Sequence, residues 1–343
     1  MSKGRILVTG GTGYIGSHTV VELQNAGYEV VIIDNLSNSY SWIIDSITKI
    51  TKIKPEFHEI DLCNGKDVND FFNKNKDIDG IIHFAAFKAV GESVENPNKY
   101  YYNNLVSLMH ILQNMQKHKL SNLVFSSSCT VYGEPEKVPI SEEAPIVKAE
   151  SPYGNTKQIS EEIIFDNTKI SEISAVALRY FNPVGAHESN LIGELPLNKP
   201  QSLMPVLTQT CIGKQEKLFV HGNDYPTPDG TAIRDYFHVS DLAIAHVKAI
   251  SYMQEKRNKD KFTFINLGSE KGYSVLEVIE EFEKINNVKL NYEMGPRRAG
   301  DVIRVYADSS KALKELGWKA EKSLSEMVRT AWKWEQSLKD NKI

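Results

Sequence analysis

The chain has 343 residues, with 40 Lys or Arg against 44 Asp or Glu and a net charge of -4 at neutral pH. That balance offers no broad basic surface to nucleic acid, and a chain this long buries a large core, in two domains or in one domain carrying a grafted lobe. No apolar run is long enough to cross a membrane, and strand-like sequence starts by residue 5, leaving no room for a signal peptide, so a cytoplasmic protein without membrane partners is expected.

The opening segment RILVTGGTGYIGSHTVVELQNAGYEVVIIDN reads as a β-branched apolar run, a glycine-rich turn, a helix ending at Gly27 and a second apolar run closing at Asp34. This is a βαβ unit. Gly11, Gly13 and Gly16 satisfy G-x-G-x-x-G, and Gly10, Gly13 and Gly16 satisfy the related G-x-x-G-x-x-G spacing, directly between strand and helix. Glycines there permit a tight turn, let a pyrophosphate approach the backbone and leave helix N–H groups to hold its charge. A carboxylate at the second strand's end takes ribose hydroxyls but repels a 2′-phosphate, so Asp34 favours NAD over NADP.

Further strand-like runs fall near 56–60, 79–85, 122–127 and 173–181, with helical patterns between them. The alternation predicts an α/β fold, a Rossmann-type doubly wound parallel sheet covered on both faces. After Pro183 a Gly/Pro/Asn-rich stretch breaks the pattern, and FTFINLG at 262–268 reads as a last sheet strand. We therefore expect an NAD-binding domain of residues 1–182 plus 236–268, with 183–235 plus 269–343 forming a smaller α/β substrate-binding lobe. In that lobe Ser274 with Glu277, and Ser323 with Glu326, predict capped amphipathic helices. Three widely spaced cysteines and nine scattered histidines predict neither a disulfide frame nor a metal site.

SPYGNTKQ, residues 151–158, sets Tyr153 and Lys157 four apart, on one face if the stretch is helical. A tyrosine with a pKa of about 10 is only roughly 0.1% ionised at neutral pH, so it is a poor base without positive charge nearby. Lowering it by about three units takes roughly 4 kcal/mol, within reach of the ammonium plus oxidised nicotinamide as a second cation. Such a pair is common on ordinary surface helices. Downstream of a nucleotide-binding βαβ unit it points to proton abstraction. Ser128, the third hydroxyl of SSSCTVYG, stands where a strand meets the cofactor crevice and can relay the proton, with Thr130 nearby.

With GGTGYIG, DNLSNS, HFAAFKAVGESV, YYNN, SSSCTVYGE, SPYGNTK, RYFNPVGAH, GNDYPTPDGT, RDYFHVSDLA and RRAGD all present, the chain resembles the UDP-glucose 4-epimerases (UDP-galactose 4-epimerases) of the extended short-chain dehydrogenase/reductase family along nearly its whole length. The resemblance implies reversible inversion at carbon 4 of UDP-galactose and UDP-glucose through a transient 4-keto sugar and enzyme-bound NADH, in galactose metabolism. Tyr153 would be the base, and Lys157 would hold the nicotinamide ribose and depress the tyrosine. The cofactor would be held by Gly10, Gly13, Tyr14, Ile15, Gly16, Asp34, Asn35, Asp61, Leu62, Phe84, Ala85, Lys88, Asn103 and Tyr180 besides the pair. For the substrate it implies Ser128, Thr130, Phe181, Asn182, Ser202, Leu203, His221, Arg234, Arg298, Asp301 and Val305, the two arginines clamping the diphosphate. It also implies a homodimer through helices beginning near Tyr101 and Gly154.

Departures bear on specificity. Ser202 stands where Asn is frequent, His221 where an aromatic near the uracil is common, and Val305 at a gate beside the sugar where a bulky tyrosine is associated with excluding N-acetyl groups. The smaller side chain leaves space, so turnover of UDP-N-acetylhexosamines is expected as well. A nucleotide-sugar 4,6-dehydratase would carry an Asp-Glu pair where Cys129 and Thr130 stand, and without that pair the elimination lacks its acid and base. The other alternative, a non-catalytic NAD-sensing regulator, is disfavoured by Ser128, Tyr153 and Lys157 occurring together.

Overall fold

The computed structural model describes residues 2–198, 200–298 and 302–340. The first half alternates strictly: β1 (Arg5–Thr9), α1 (Tyr14–Asn25), β2 (Glu29–Asp34), α2 (Ile43–Thr51), β3 (Glu56–Glu59), α3 (Gly65–Lys74), β4 (Gly80–His83), α4 (Val90–Glu95), α5 (Pro97–His118), β5 (Asn122–Ser128), α6 (Pro152–Ile170) and β6 (Ser174–Tyr180). The second half mixes shorter pieces: β7 (Asn182–Val184), α7 (Leu203–Cys211), β8 (Leu218–His221), β9 (Ile233–His238), α8 (Val239–Gln254), β10 (Phe262–Leu267), β11 (Gly272–Ser274), α9 (Val275–Asn286), β12 (Tyr292–Gly295), β13 (Arg304–Val305), α10 (Ser310–Leu316) and α11 (Leu324–Asp340).

Seven strands form one sheet in the order β10-β6-β5-β4-β1-β2-β3, every neighbouring pair parallel. Each of the six runs expected before residue 182 is one of these strands, and the run at 262–268 supplies the edge strand β10. Parallel strands are buried on both faces, which is why they read as continuous apolar runs. Alternation then sends their side chains to two separate cores. Ile6 and Val8 pack with Val20 of α1 and Leu242 of α8, whereas Leu7 packs with Leu108 and Ile111 of α5 and Ile164 of α6. Each fully buried side chain of this size contributes about 1.5–3 kcal/mol.

Strand order reverses direction between β1 and β4, because the chain winds outward through β2 and β3, then returns to build β4, β5 and β6 on the other side. A crevice opens at the carboxyl ends of strands at such a switch point. Outside the main sheet, β9 pairs with β7 and β13 in parallel and with β11 antiparallel, while β8 and β12 form a separate parallel pair. Ser274 and Glu277 close the expected capping box on α9, and Ser323 and Glu326 exchange backbone and side-chain hydrogen bonds at the start of α11. Among the described residues no helix is long and apolar enough to cross a membrane, and no group of three or more His, Cys, Asp or Glu side chains is placed to hold a metal.

Candidate active site

The glycine turn and the loop after β4 meet at the switch point. Gly10 has φ +71°, and a side chain there would also bring its Cβ within 2.9 Å of the Ala85 amide nitrogen, so only glycine lets the two loops approach this closely. A Cβ on Gly16 would lie 2.1 Å from the Gly10 carbonyl oxygen, which accounts for the third glycine. Gly13 caps α1 with no side-chain hydrogen bond, leaving the helix's first N–H groups directed at the crevice. Asp34 ends β2, where one carboxylate oxygen accepts the Thr12 amide at 3.2 Å and the other the Leu36 amide at 3.0 Å. Backbone donors at a helix start, a glycine cradle and a carboxylate fixed beside them fit a dinucleotide, with the acid suited to a free ribose.

The other expected cofactor residues gather along the same carboxyl edge. Asn35 follows β2, Asp61 and Leu62 follow β3, Phe84, Ala85 and Lys88 follow β4, and Tyr180 ends β6. Tyr14 and Ile15 open α1, and Asn103 lies on α5, where its carbonyl and side-chain oxygens face the Cys63 thiol. The Tyr14 hydroxyl donates to the Gly185 carbonyl at 2.7 Å, and Lys88 lies 5.8 Å from the Tyr14 ring centre while pairing with Glu194 at 3.0 Å. Asn104, the last residue of YYNN, holds the β4 loop to α6 through the Phe87 backbone and the Thr156 hydroxyl.

SPYGNTKQ does open a helix. Pro152 is the first residue of α6, and the Ser151 side chain accepts from the Gly154 amide at 3.1 Å. The Tyr153 hydroxyl faces Ser128, the last residue of β5 and the group that favours its ionised form. Lys157 does not reach the phenol: its Nζ donates to the Ser126 carbonyl at 2.6 Å and stays 5.9 Å from the Tyr153 ring centre. Burial accordingly sets the acidities. It pushes the Tyr153 phenol up to about 12 against the opposing influence of Ser128, so the protein's own groups do not produce the expected depression. Burial also pulls Lys157 down to about 8, opposed by the Glu161 carboxylate.

Thr130 lies in the turn after Ser128, and its Oγ1 is buried without a hydrogen-bond partner, a polar group left for a ligand. Behind the turn, Glu161 accepts from Ser127 Oγ at 2.5 Å and from Arg179 Nε at 2.9 Å. Arg179 also donates to the Tyr132 hydroxyl at 3.0 Å, which donates to Asn266 of β10 at 2.7 Å. The one sequence signal for this network is that Glu161 falls four residues after Lys157 and so shares its helix face.

Of the expected substrate residues, Phe181 and Asn182 continue from β6 into β7, directly after Tyr180, the register partner of Ser128. Arg234 lies on β9 opposite Val305 of β13, and its charge acts on the Cys129 thiol, which burial nevertheless pushes up to about 12. The strand pairing brings Val305 beside Arg234. Ser202 caps α7 through its carbonyl with its hydroxyl unused in the cap, Leu203 follows it, and His221 ends β8. Arg298 is exposed after β12. The expected Asp301 lies outside the described residues.

Residues 7–331 match the GDP-mannose 4,6 dehydratase family. A UDP-glucose 4-epimerase of Dictyostelium discoideum is 50% identical over 338 residues, covering 98% of this chain and 97% of that protein. Among solved structures, the UDP-glucose 4-epimerase of Stenotrophomonas maltophila with bound NAD and formylated UDP-arabinopyranose superposes with a TM-score of 0.94 at 43% identity, over 98% of this chain and 99% of that one. That of Bifidobacterium longum, in complex with NAD+ and UDP, gives a TM-score of 0.93 at 43% identity with the same coverage.

Proposed function

Because the chain belongs to the UDP-glucose 4-epimerase family of extended short-chain dehydrogenases/reductases, NAD-dependent isomerases that invert carbon 4 reversibly, we propose that Tyr153 is the base that starts this reaction. The observation that supports this most is the contact of Tyr153 with Ser128 at the carboxyl edge of the sheet, beside the glycine cradle. NAD, when bound, supplies the hydride acceptor and donor for carbon 4 and a positive ring that favours phenolate.

In this reading Ser128 orients the sugar 4-oxygen and passes its proton to Tyr153. Lys157, fixed by the Ser126 carbonyl, keeps a positive charge on the same helix face and holds the nicotinamide ribose. Asp34 and Asn35 take the adenosine ribose, and the open N–H groups of α1 take the pyrophosphate. Arg234 and Arg298 clamp the UDP diphosphate, with Asn182 donating to it and Asp301 on the uridine ribose. Firm grip on the nucleotide and light contact with the hexose let a 4-keto sugar turn over and present its other face. Val305 leaves room beside the sugar, so UDP-N-acetylhexosamines join the plain hexoses as substrates.

We also propose the division into an NAD-binding domain of residues 1–182 plus 236–268 and a UDP-sugar-binding remainder. It is supported by the seven-stranded sheet being built from β1 to β6 and β10 alone. A homodimer through α5 and α6 is supported by the exposed Tyr102, Met109 and Phe165 on those two helices. A cytoplasmic setting is supported by three free cysteines, none paired in a disulfide.

The test is to offer UDP-galactose to purified protein with no cofactor added. UDP-glucose should appear, and denaturing the same protein should release NAD. Formation of a dehydrated 4-keto-6-deoxy sugar instead would favour the dehydratase reading.

A further inference from the structure

Strand β5 ends in three serines, and α6 carries Tyr153, Lys157 and Glu161 at four-residue spacing along one face. Each serine meets a different turn of the helix. Ser128 meets Tyr153, the Ser126 carbonyl takes Lys157 and the Ser127 hydroxyl donates to Glu161. Glu161 and Arg179 are 5% and 1% exposed, so their ion pair is shielded from solvent, and Arg179 is further sandwiched with its guanidinium carbon 3.8 Å from the Phe264 ring centre and 4.9 Å from that of Tyr132.

Stability alone does not call for this pair. A buried ion pair is frequently matched or bettered by apolar side chains of similar volume, because desolvating two charges offsets their attraction. Its placement is more informative. The groups facing Lys157 are Tyr153 and Glu161 from its own helix, His83 from β4, and the Phe125 ring and Ser126 carbonyl from β5. Burial keeps His83 neutral, its pKa pulled down to about 3, so it adds no charge at neutral pH. Glu161 is the carboxylate whose attraction opposes the burial of Lys157.

We propose that Glu161, locked by Arg179 and Ser127, is a positioning residue that keeps Lys157 charged and holds the end of β5 against α6 so that Ser128 meets Tyr153. The proposal rests on the assignment of Tyr153 and Lys157 to the reaction. It adds a buried electrostatic support reaching from the catalytic helix across β5 and β6 to Asn266 of β10.

The experiment compares full-length NAD-loaded protein with Glu161→Gln, Glu161→Asp and the double variant Glu161→Leu/Arg179→Met, measuring thermal melting and the pH profile of kcat and KM with UDP-galactose. Glu161→Gln strands the Arg179 charge, so its melting temperature falls, whereas the double variant removes both charges and melts near the parent. In Glu161→Gln the alkaline limb of kcat moves about one unit to lower pH, about a tenfold loss above the limb, and in the double variant, which also loses the Arg179 charge, it moves the same way by less, with KM unchanged in both. Glu161→Asp keeps the charge and the parental limb. A double variant with parental melting and a parental pH profile would reduce the pair to a structural role and overturn the proposal. If the double variant does not fold, identical alkaline limbs in Glu161→Gln and Glu161→Asp overturn it equally. Failure of the underlying assignment looks different: Tyr153→Phe would then retain parental kcat.

Discussion

Lys157 is bound to the strand rather than to the phenol: its Nζ donates to the Ser126 carbonyl at 2.6 Å while the Tyr153 ring centre lies 5.9 Å away. This separates its duties from those of Tyr153, and substitutions should show the difference.

Lys157→Met removes both the charge and the proposed ribose anchor. NAD retained after purification should fall together with kcat, the latter by about a hundredfold or more. Measuring bound NAD per chain beside steady-state rates checks this, and full NAD occupancy with a normal rate would remove Lys157 from the mechanism.

Activity should also carry the lysine's signature in pH. Because burial pulls Lys157 down to about 8, its charge is present below that value and is lost as pH rises through it, so the parental kcat should decline on the alkaline side. A rate that stays flat well above that pH would show that the ammonium is not needed.

Gly16→Ala places a methyl group 2.1 Å from the Gly10 carbonyl oxygen, closer than real contacts allow. The turn must open, costing about 2 kcal/mol or more, and the purified variant should carry little NAD. Denaturant unfolding and cofactor content measure the two effects, and a variant that unfolds and binds like the parent would mean that the cradle is slack.

Val305→Tyr should preserve turnover of UDP-galactose and reduce kcat/KM for UDP-N-acetylgalactosamine by at least about tenfold, since the proposed gate residue sits on β13 beside Arg234. Equal kcat/KM ratios in parent and variant would place the gate elsewhere.

Four buried histidines set the acid limit of stability. Burial holds His18, His83 and His238 down to about 3 and His246 down to about 4, so each is neutral when folded and free to take a proton near 6.5 when unfolded. Between those values the unfolded chain binds more protons, and stability falls as pH is lowered through 6.5. By pH 5 each histidine should have cost about 2 kcal/mol. Denaturant midpoints at pH 7 and pH 5 test the sign, and a higher midpoint at pH 5 would contradict it.

Much of the cofactor half was legible because its signals are local. Central parallel strands such as Ile6–Val8 must be apolar on both faces, and a glycine turn between strand and helix leaves a fixed spacing. Ser274 and Ser323 announced their helices through capping chemistry readable within four residues. The second half was harder, since β9 draws partners from β7, β11 and β13, spread over more than a hundred residues. Long-range polar contacts were hidden for the same reason. Nothing near Arg179 in sequence names Glu161, and nothing near Lys157 says that a strand carbonyl, not the phenol, will accept its hydrogen bond.

The most direct measurement is the turnover of UDP-galactose by Tyr153→Phe, which removes one oxygen and leaves the ring, the helix and the NAD cradle in place. With NAD content and melting close to the parent, kcat should drop by about a thousandfold. A variant that keeps the parental kcat would contradict the assignment of Tyr153 as the base.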